Sequence, residues 1–239
     1  MKLSLSRRVS LWALPAALAV LGALAWAGCS AKAPPTAPPP VETGPCRGEA
    51  FDGAPLSIRC GAFVDGQGRE VRLHGVNARV SGLFDVTFDD GRTALEPIPT
   101  FTKSDAANMR SVGFNALRLP LNWSGLEPTE SGGFVKAYLD RIAEVVGIAR
   151  DAGLFVMLDM HQDAYSKEIG EDGAPLWAIV PAPATKLGGP LLDLEQRRLS
   201  KPVADAFATF FGASADGARL QTRFAKAIAE VARDRKSVV

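Results

Sequence analysis

The sequence predicts an α/β protein built on a parallel sheet, part of a (β/α)8 TIM barrel, and three observations carry that expectation. Amphipathic helical stretches alternate with short apolar runs, the signature of βαβ units. No glycine-rich phosphate loop follows the first strand, which disfavours a doubly wound dinucleotide fold. A hairpin signal precedes the first unit and suits the floor of a barrel. Only three βα units can be counted in the 239 residues, with a long insertion after the third strand, whereas a whole barrel needs eight units and about 250 residues.

The elements follow in order. Ala62–Val64 and Glu70–Asn77 flank the turn Asp65-Gly66-Gln67-Gly68, a hairpin pattern. Thr102-Lys103-Ser104-Asp105 supplies N-caps for a helix through Val112, with Gly113 as its stop. Asn115–Pro120 reads as a short strand. Leu139, Ile142, Val146 and Ala149 share one face of a helix from about Phe134 to Asp151, closed by Gly153. Leu154–Met160 (LFVMLDM) predicts a strand buried on both faces, as parallel strands are. From Ala164 to Ala218 runs an insertion of roughly 55 residues, too long for an ordinary βα connection. It carries Trp177, a proline-rich turn at 181–183, and an apolar helix opened by Ser200-Lys201-Pro202 that includes Phe207, Phe210 and Phe211. After a turn at Asp216-Gly217, Leu220, Phe224, Ile228 and Val231 stripe a last helix.

Composition narrows the function. Hydrophobic residues make up 47% of the chain, enough for a packed core. The net charge of +1 includes Lys2, Arg7 and Arg8; without these three the acids exceed the bases by two. Such a balance gives no electrostatic case for nucleic acid. Leu11–Ala27 is apolar, follows Arg7-Arg8, and falls short of the roughly 20 residues a membrane span needs. Residues 1–28 therefore read as a secretory signal peptide. Ala25-Trp26-Ala27-Gly28-Cys29-Ser30 resembles the lipobox of bacterial lipoproteins, with Trp26 where Leu is usual, which implies a lipid on Cys29. An ordinary cleaved signal and an uncleaved anchor are the alternatives. The resulting expectation is an exported protein, either membrane-anchored through Cys29 or periplasmic/extracellular, and monomeric.

Residues 29–44 are the lipidated Cys and a Pro-rich tether, extended and unable to form a core. Residues 45–239 then form one domain, the N-terminal part of a barrel. The chain holds three cysteines. If Cys29 carries lipid, Cys46 and Cys60 remain to pair in an oxidising compartment. No Cys/His cluster points to structural zinc, and neither a metal nor a cofactor is expected.

Polar residues fall where strands end. Asn77 closes the first strand, Arg118 lies in NALRLP, and His161-Gln162-Asp163 follows LFVMLDM directly. In a barrel that carboxyl-terminal rim holds the active site. The blander readings are a solvated loop His for His161 and a structural ion pair for Arg118. Of the two histidines in the chain, the other, His74, sits mid-strand in a structural role.

LHGVN (73–77), PTFTKSD (99–105), GFNALRLPLNW (113–123) and LDMHQDAYS (158–166) together resemble glycoside hydrolase family 5. DMHQD with DGAPLW (172–177) is most similar to its endoglycoceramidase-related branch. The resemblance implies a retaining β-glycosidase that hydrolyses O-glycosyl bonds of a glycolipid or β-glucan with a pair of Glu residues. It assigns Arg118 to support of the nucleophile, and His161, Asp163 and, less directly, Asn77 to sugar binding. The family's acid/base lies in an Asn-Glu-Pro motif at the end of strand four. No Asn-Glu pair occurs in this sequence, and the nucleophile has no counterpart either. The chain is therefore expected to be a fragment without catalytic residues, and inactive alone. The alternative is a non-catalytic, surface-tethered carbohydrate- or glycolipid-binding lipoprotein. A metal-dependent hydrolase using His161 and Asp163 fares badly, because no second His stands at a suitable strand end. The insertion's aromatics either pack its own small core or offer apolar surface to a lipid aglycone.

Overall fold

A computed structural model describes residues 56–233. The chain divides into two units, Met1–Pro45 and Cys46–Val239. The first unit lies outside the described residues, and so do the leader, Cys29, the tether and Cys46.

Two three-stranded sheets organise the described residues. Strands β1 (Leu56–Arg59), β2 (Ala62–Asp65) and β3 (Glu70–Val71) form an antiparallel sheet in that order. Its second hairpin is the expected one, with Asp65 Oδ1 accepting from the amides of Gln67 and Arg69 across the turn. Its first was not foreseen: β1 pairs with β2 around the two-residue turn Cys60-Gly61, both at positive φ. Cys60 is disulfide-bonded, and its partner lies outside the described residues.

The run Glu70–Asn77, expected as one strand, is two. It breaks at Arg72-Leu73-His74 and passes from the antiparallel sheet into β4 (Gly75–Asn77) of a parallel one. His74 is therefore not mid-strand. It sits in this joint, its carbonyl accepting from Asn115 N at 2.8 Å and its ring edge-on to Phe114 at 4.9 Å.

The parallel sheet runs β4, β5 (Ala116–Leu121), β6 (Phe155–Met160). Gly75 lies so close to β5 that a Cβ would stand 1.7 Å from the Ala116 carbonyl oxygen. Pro120 sits within the central strand, where a missing N–H is normally costly. Register explains it. Ala116 N and Arg118 O bond toward β4 while Leu121 O bonds toward β6, so Pro120 points to the β4 side, past the last β4 pair.

Helices cover one face of this sheet. α1 (Lys103–Ser111) opens with the expected Thr102 cap, a reciprocal box with Asp105. A short α2 (Trp123–Leu126) follows β5, and α3 (Lys136–Asp151) packs on β6 and α1. Leu117, Leu119, Leu121, Ile142, Val145 and Ala149 are all 0% exposed in this layer. The other face of the sheet, carrying Asn77, Arg118, Met157 and Asp159, has no such cover among the described residues. The expectation that Leu154–Met160 is buried on both faces is thus wrong for that face, where Met157 is 52% exposed.

The insertion contains α4 (Leu194–Arg198) and α5 (Lys201–Phe211) and leads to α6 (Ala215–Arg233). Asp216-Gly217 is not a turn but the first turn of α6, because Ser214 Oγ accepts from the Gly217 amide and caps the helix. Most of the insertion's aromatics pack on the main core, Tyr165 against Phe207, Phe210 against Phe224 and Trp177 against Trp123, whereas Phe211 is 74% exposed. Among the described residues no helix is long and apolar enough to cross a membrane.

Candidate active site

Side chains on a strand alternate between faces, and the register puts Asn77, Arg118 and Asp159 on the uncovered face. Arg118 is the centre of this group. Its Nη1 donates to Asn77 Oδ1 at 3.0 Å and its Nη2 to Asp159 Oδ2. The chain leaves β6 at Met160, and the His161 amide donates to Leu121 O at 2.8 Å, which carries the ladder one residue further. The His161 ring consequently lands on the same face. Its Nδ1 lies 3.0 Å from Asp159 Oδ2 and 3.2 Å from Arg118 Nη2. When Nδ1 carries its proton to Asp159, Nε2 is left as an acceptor.

Beyond His161 the backbone turns sharply. Ala164 and Tyr165 both adopt positive φ, 58° and 69°, which costs a non-glycine residue of order 1 kcal/mol or more. Backbone bonds from Glu171 N (3.2 Å) and Asp172 N (3.1 Å) to Asp163 O close the loop. Three carboxyls meet there. Asp163 pairs with Arg198 at 2.9 Å, and Glu171 with Arg79 at 3.3 Å. Asp172 is 0% exposed; its Oδ2 accepts from Asn122 Nδ2, while Oδ1 is buried with no hydrogen-bond partner. Burial, then the neighbouring Glu171 charge, push the Asp172 carboxyl up to about 7. Glu171 is raised as well, by burial and by Asp163.

The structure thus brings together Asn77, Arg118, His161 and Asp163. Sequence reasoning missed Asp159, Asn122, Glu171, Asp172, Arg79 and Arg198. Asp159 could have been found, since it stands two positions before His161 and so on the same strand face.

His161, Asp163 and Asp172 each offer a ligand atom within 4.8 Å of the others, a group that could hold a metal ion. However, guanidinium groups already lie against two of the three, Arg118 on His161 and Arg198 on Asp163. A cation there would meet like charge. The same hydrogen-bonding groups suit hydroxyls, which both donate to carboxylates and accept from guanidinium N–H. As a general acid Asp172 is badly placed, because a fully buried carboxyl cannot reach a leaving oxygen.

A parallel α/β sheet with its polar side chains gathered at the carboxyl ends of the strands is the layout of a barrel enzyme. The sequence specifies which: the model of the cellulase family, glycosyl hydrolase family 5, matches residues 64–187, and the chain belongs to that family. It is 39% identical over 121 residues to endoglycoceramidase I of Rhodococcus hoagii, covering 51% of this chain and 23% of that protein. It is 30% identical to the ergosteryl-beta-glucosidase of Saccharomyces cerevisiae, with 50% of this chain and 18% of that one covered. Among solved structures, an endogalactoceramidase superposes with a TM-score of 0.62 at 33% identity, covering 77% of this chain and 42% of its own. Endo-glycoceramidase II from Rhodococcus sp., in its ganglioside GM3 complex, gives 0.58 at 30% identity, covering 74% and 40%. The chain spans less than half the length of these relatives and structures, and the described strands form part of a barrel, not a closed one.

Proposed function

We propose that this chain forms the sugar-binding part of an exported, retaining β-glycosidase that acts on glycolipids, and that alone it binds a sugar without cleaving it. Contact of Arg118 with both Asn77 and His161 carries the reading, because it gathers donors and acceptors from three strand ends in one place. The two relatives and two structures above are named for glycolipid or steryl glucoside substrates, which favours a glycolipid over a β-glucan. Export through residues 1–28 and a lipid on Cys29 belong to the same proposal and rest on the charge and hydropathy of the leader. Oxocarbenium chemistry needs a proton donor on one side of the sugar and a carboxylate on the other. No Asn-Glu pair supplies the first, and Asp172 is too deeply buried to do so.

The test uses the fact that the chain has two histidines. Imidazole NMR resonances are followed as lactose, cellobiose or lactosylceramide in detergent micelles is added, and a 4-methylumbelliferyl β-glucoside is assayed in parallel. Saturable movement of the His161 resonance, with His74 still and no fluorophore released, is the expected outcome. Robust turnover by this chain would overturn the claim of inactivity. A His161 resonance unmoved by all three sugars would overturn the binding site.

A further inference from the structure

The mechanism of the rim leaves one question open: what holds His161 and Asp163 at fixed positions, when both stand on a loop with strained backbone? Asn122 answers it. The residue follows β5 and is the N-cap of α2, where an Asn side chain ordinarily turns back to bond the first helical amides. Here it makes no cap bond at all. Its side chain is directed instead into the interior, where it is 0% exposed.

Every polar group of Asn122 is committed. Its Nδ2 donates to the His161 carbonyl at 3.1 Å and to Asp172 Oδ2. Its Oδ1 accepts from Asp85 N at 2.7 Å, and its own amide donates to Tyr138 Oη at 2.8 Å. Tyr138 Oη in turn donates to Leu83 O at 2.6 Å. One side chain thereby ties the loop after β4, the exit of β6 and the insertion together beneath the rim. Asp172 completes the tie, since its amide donates to Asp163 O while its carboxyl takes Asn122.

Leaving a carboxyl at zero exposure beside two other acids opposes folding. Buried polar groups that are nearly all satisfied specify one geometry, and the geometry specified here is that of His161 and Asp163. We infer that Asn122 and Asp172 are positioning residues: a buried amide–carboxyl joint that fixes the backbone on which the sugar-binding His161 and Asp163 stand. Neither touches the sugar; both act through the rim loop. The inference deepens the proposed function and rests on it for the role of His161, but the joint itself is testable without any sugar.

The experiment records the two imidazole resonances in the full chain and in Asp172→Ala, Asp172→Asn and Asn122→Ala. The Asn variant keeps an oxygen that can accept from Asn122 and keeps the side chain's shape, so it is the conservative rescue. In Asp172→Ala and Asn122→Ala the His161 resonance is expected to shift toward that of a free loop histidine and broaden, with His74 unchanged. Asp172→Asn should restore the wild-type position. Where sugar binding is measurable, the two alanine variants should weaken it 10-fold or more and the Asn variant less than 3-fold. Unfolding of a variant would move both histidines, which separates it from loss of the joint, and Asp172→Asn then decides. A wild-type His161 signal in folded Asp172→Ala would overturn the inference. So would an Asn variant that behaves like the alanine one. A wild-type His161 that ignores every sugar while responding to these substitutions would defeat the sugar-site reading and leave the joint standing.

Discussion

Replacing Asp172 by Asn should abolish a specific pH dependence of stability, and the structure gives its size. The Asp172 carboxyl is raised from 3.8 to about 7 in the folded chain. At about 1.4 kcal/mol per pKa unit, a gap of roughly three units corresponds to on the order of 4 kcal/mol. Between pH 4 and pH 7 the folded chain retains this proton and the unfolded chain does not. Stability from this group is therefore fully present below pH 4 and lost as pH rises toward 7. The Asn variant has no proton to lose. Its stability relative to the wild type should start near zero at pH 4 and grow to on the order of 4 kcal/mol by pH 8. Asp65, Asp90 and Asp105 are shifted down by their partners and act at lower pH, equally in both chains. The charged groups facing Asp172 are Glu171, Asp163 and Arg79. Urea melts of both chains at pH 4.5, 6 and 7.5 make the measurement. Curves that stay parallel across that range would refute the reasoning.

Two further substitutions test the scaffold. Thr102→Ala removes the reciprocal box in which Asp105 accepts from Thr102 N at 2.8 Å, and should cost about 1 kcal/mol in a urea melt. Ile142→Ala opens a cavity at a site with 0% exposure and should cost about 2–5 kcal/mol, read as a lowered urea midpoint with an unchanged slope.

How far the sequence revealed this structure depended on whether the deciding contact was local. The Thr102–Asp105 spacing, the stripe Leu139–Ile142–Val146–Ala149 and the apolar run before His161 are local patterns, and each marked its element. Strand β1 was hidden because LSIR has only two apolar residues and its turn is Cys60-Gly61, without the usual Asn or Asp. The break at 72–74 was hidden because the strand-like residues run on while the partner strand changes. In the site, Arg118, His161 and Asp163 were legible from their places at strand ends. Asn122 and Asp172 were not. They meet across 50 positions of sequence, and no local pattern announces a carboxyl that will be buried.

The charges at the rim connect the joint to the proposed sugar site. Glu96, Asp159, Asp163, Glu171 and Asp172 share the guanidinium groups of Arg79, Arg118 and Arg198. Carboxyls outnumber arginines, so not every acid can be neutralised by a partner. A proton is the remaining remedy, and it goes where solvation is poorest, to Asp172, which has no exposure at all. The more exposed acids, Asp159 and Asp163, lie beside Arg118 and Arg198 and present acceptor oxygens to the open face. Hydroxyl groups are donors suited to such oxygens, and unlike a metal ion they bring no charge to repel Arg118 or Arg198. The pairing of Arg118 with Asp159 and of Arg198 with Asp163 thus suits these oxygens to the neutral sugar proposed above better than to a metal ion.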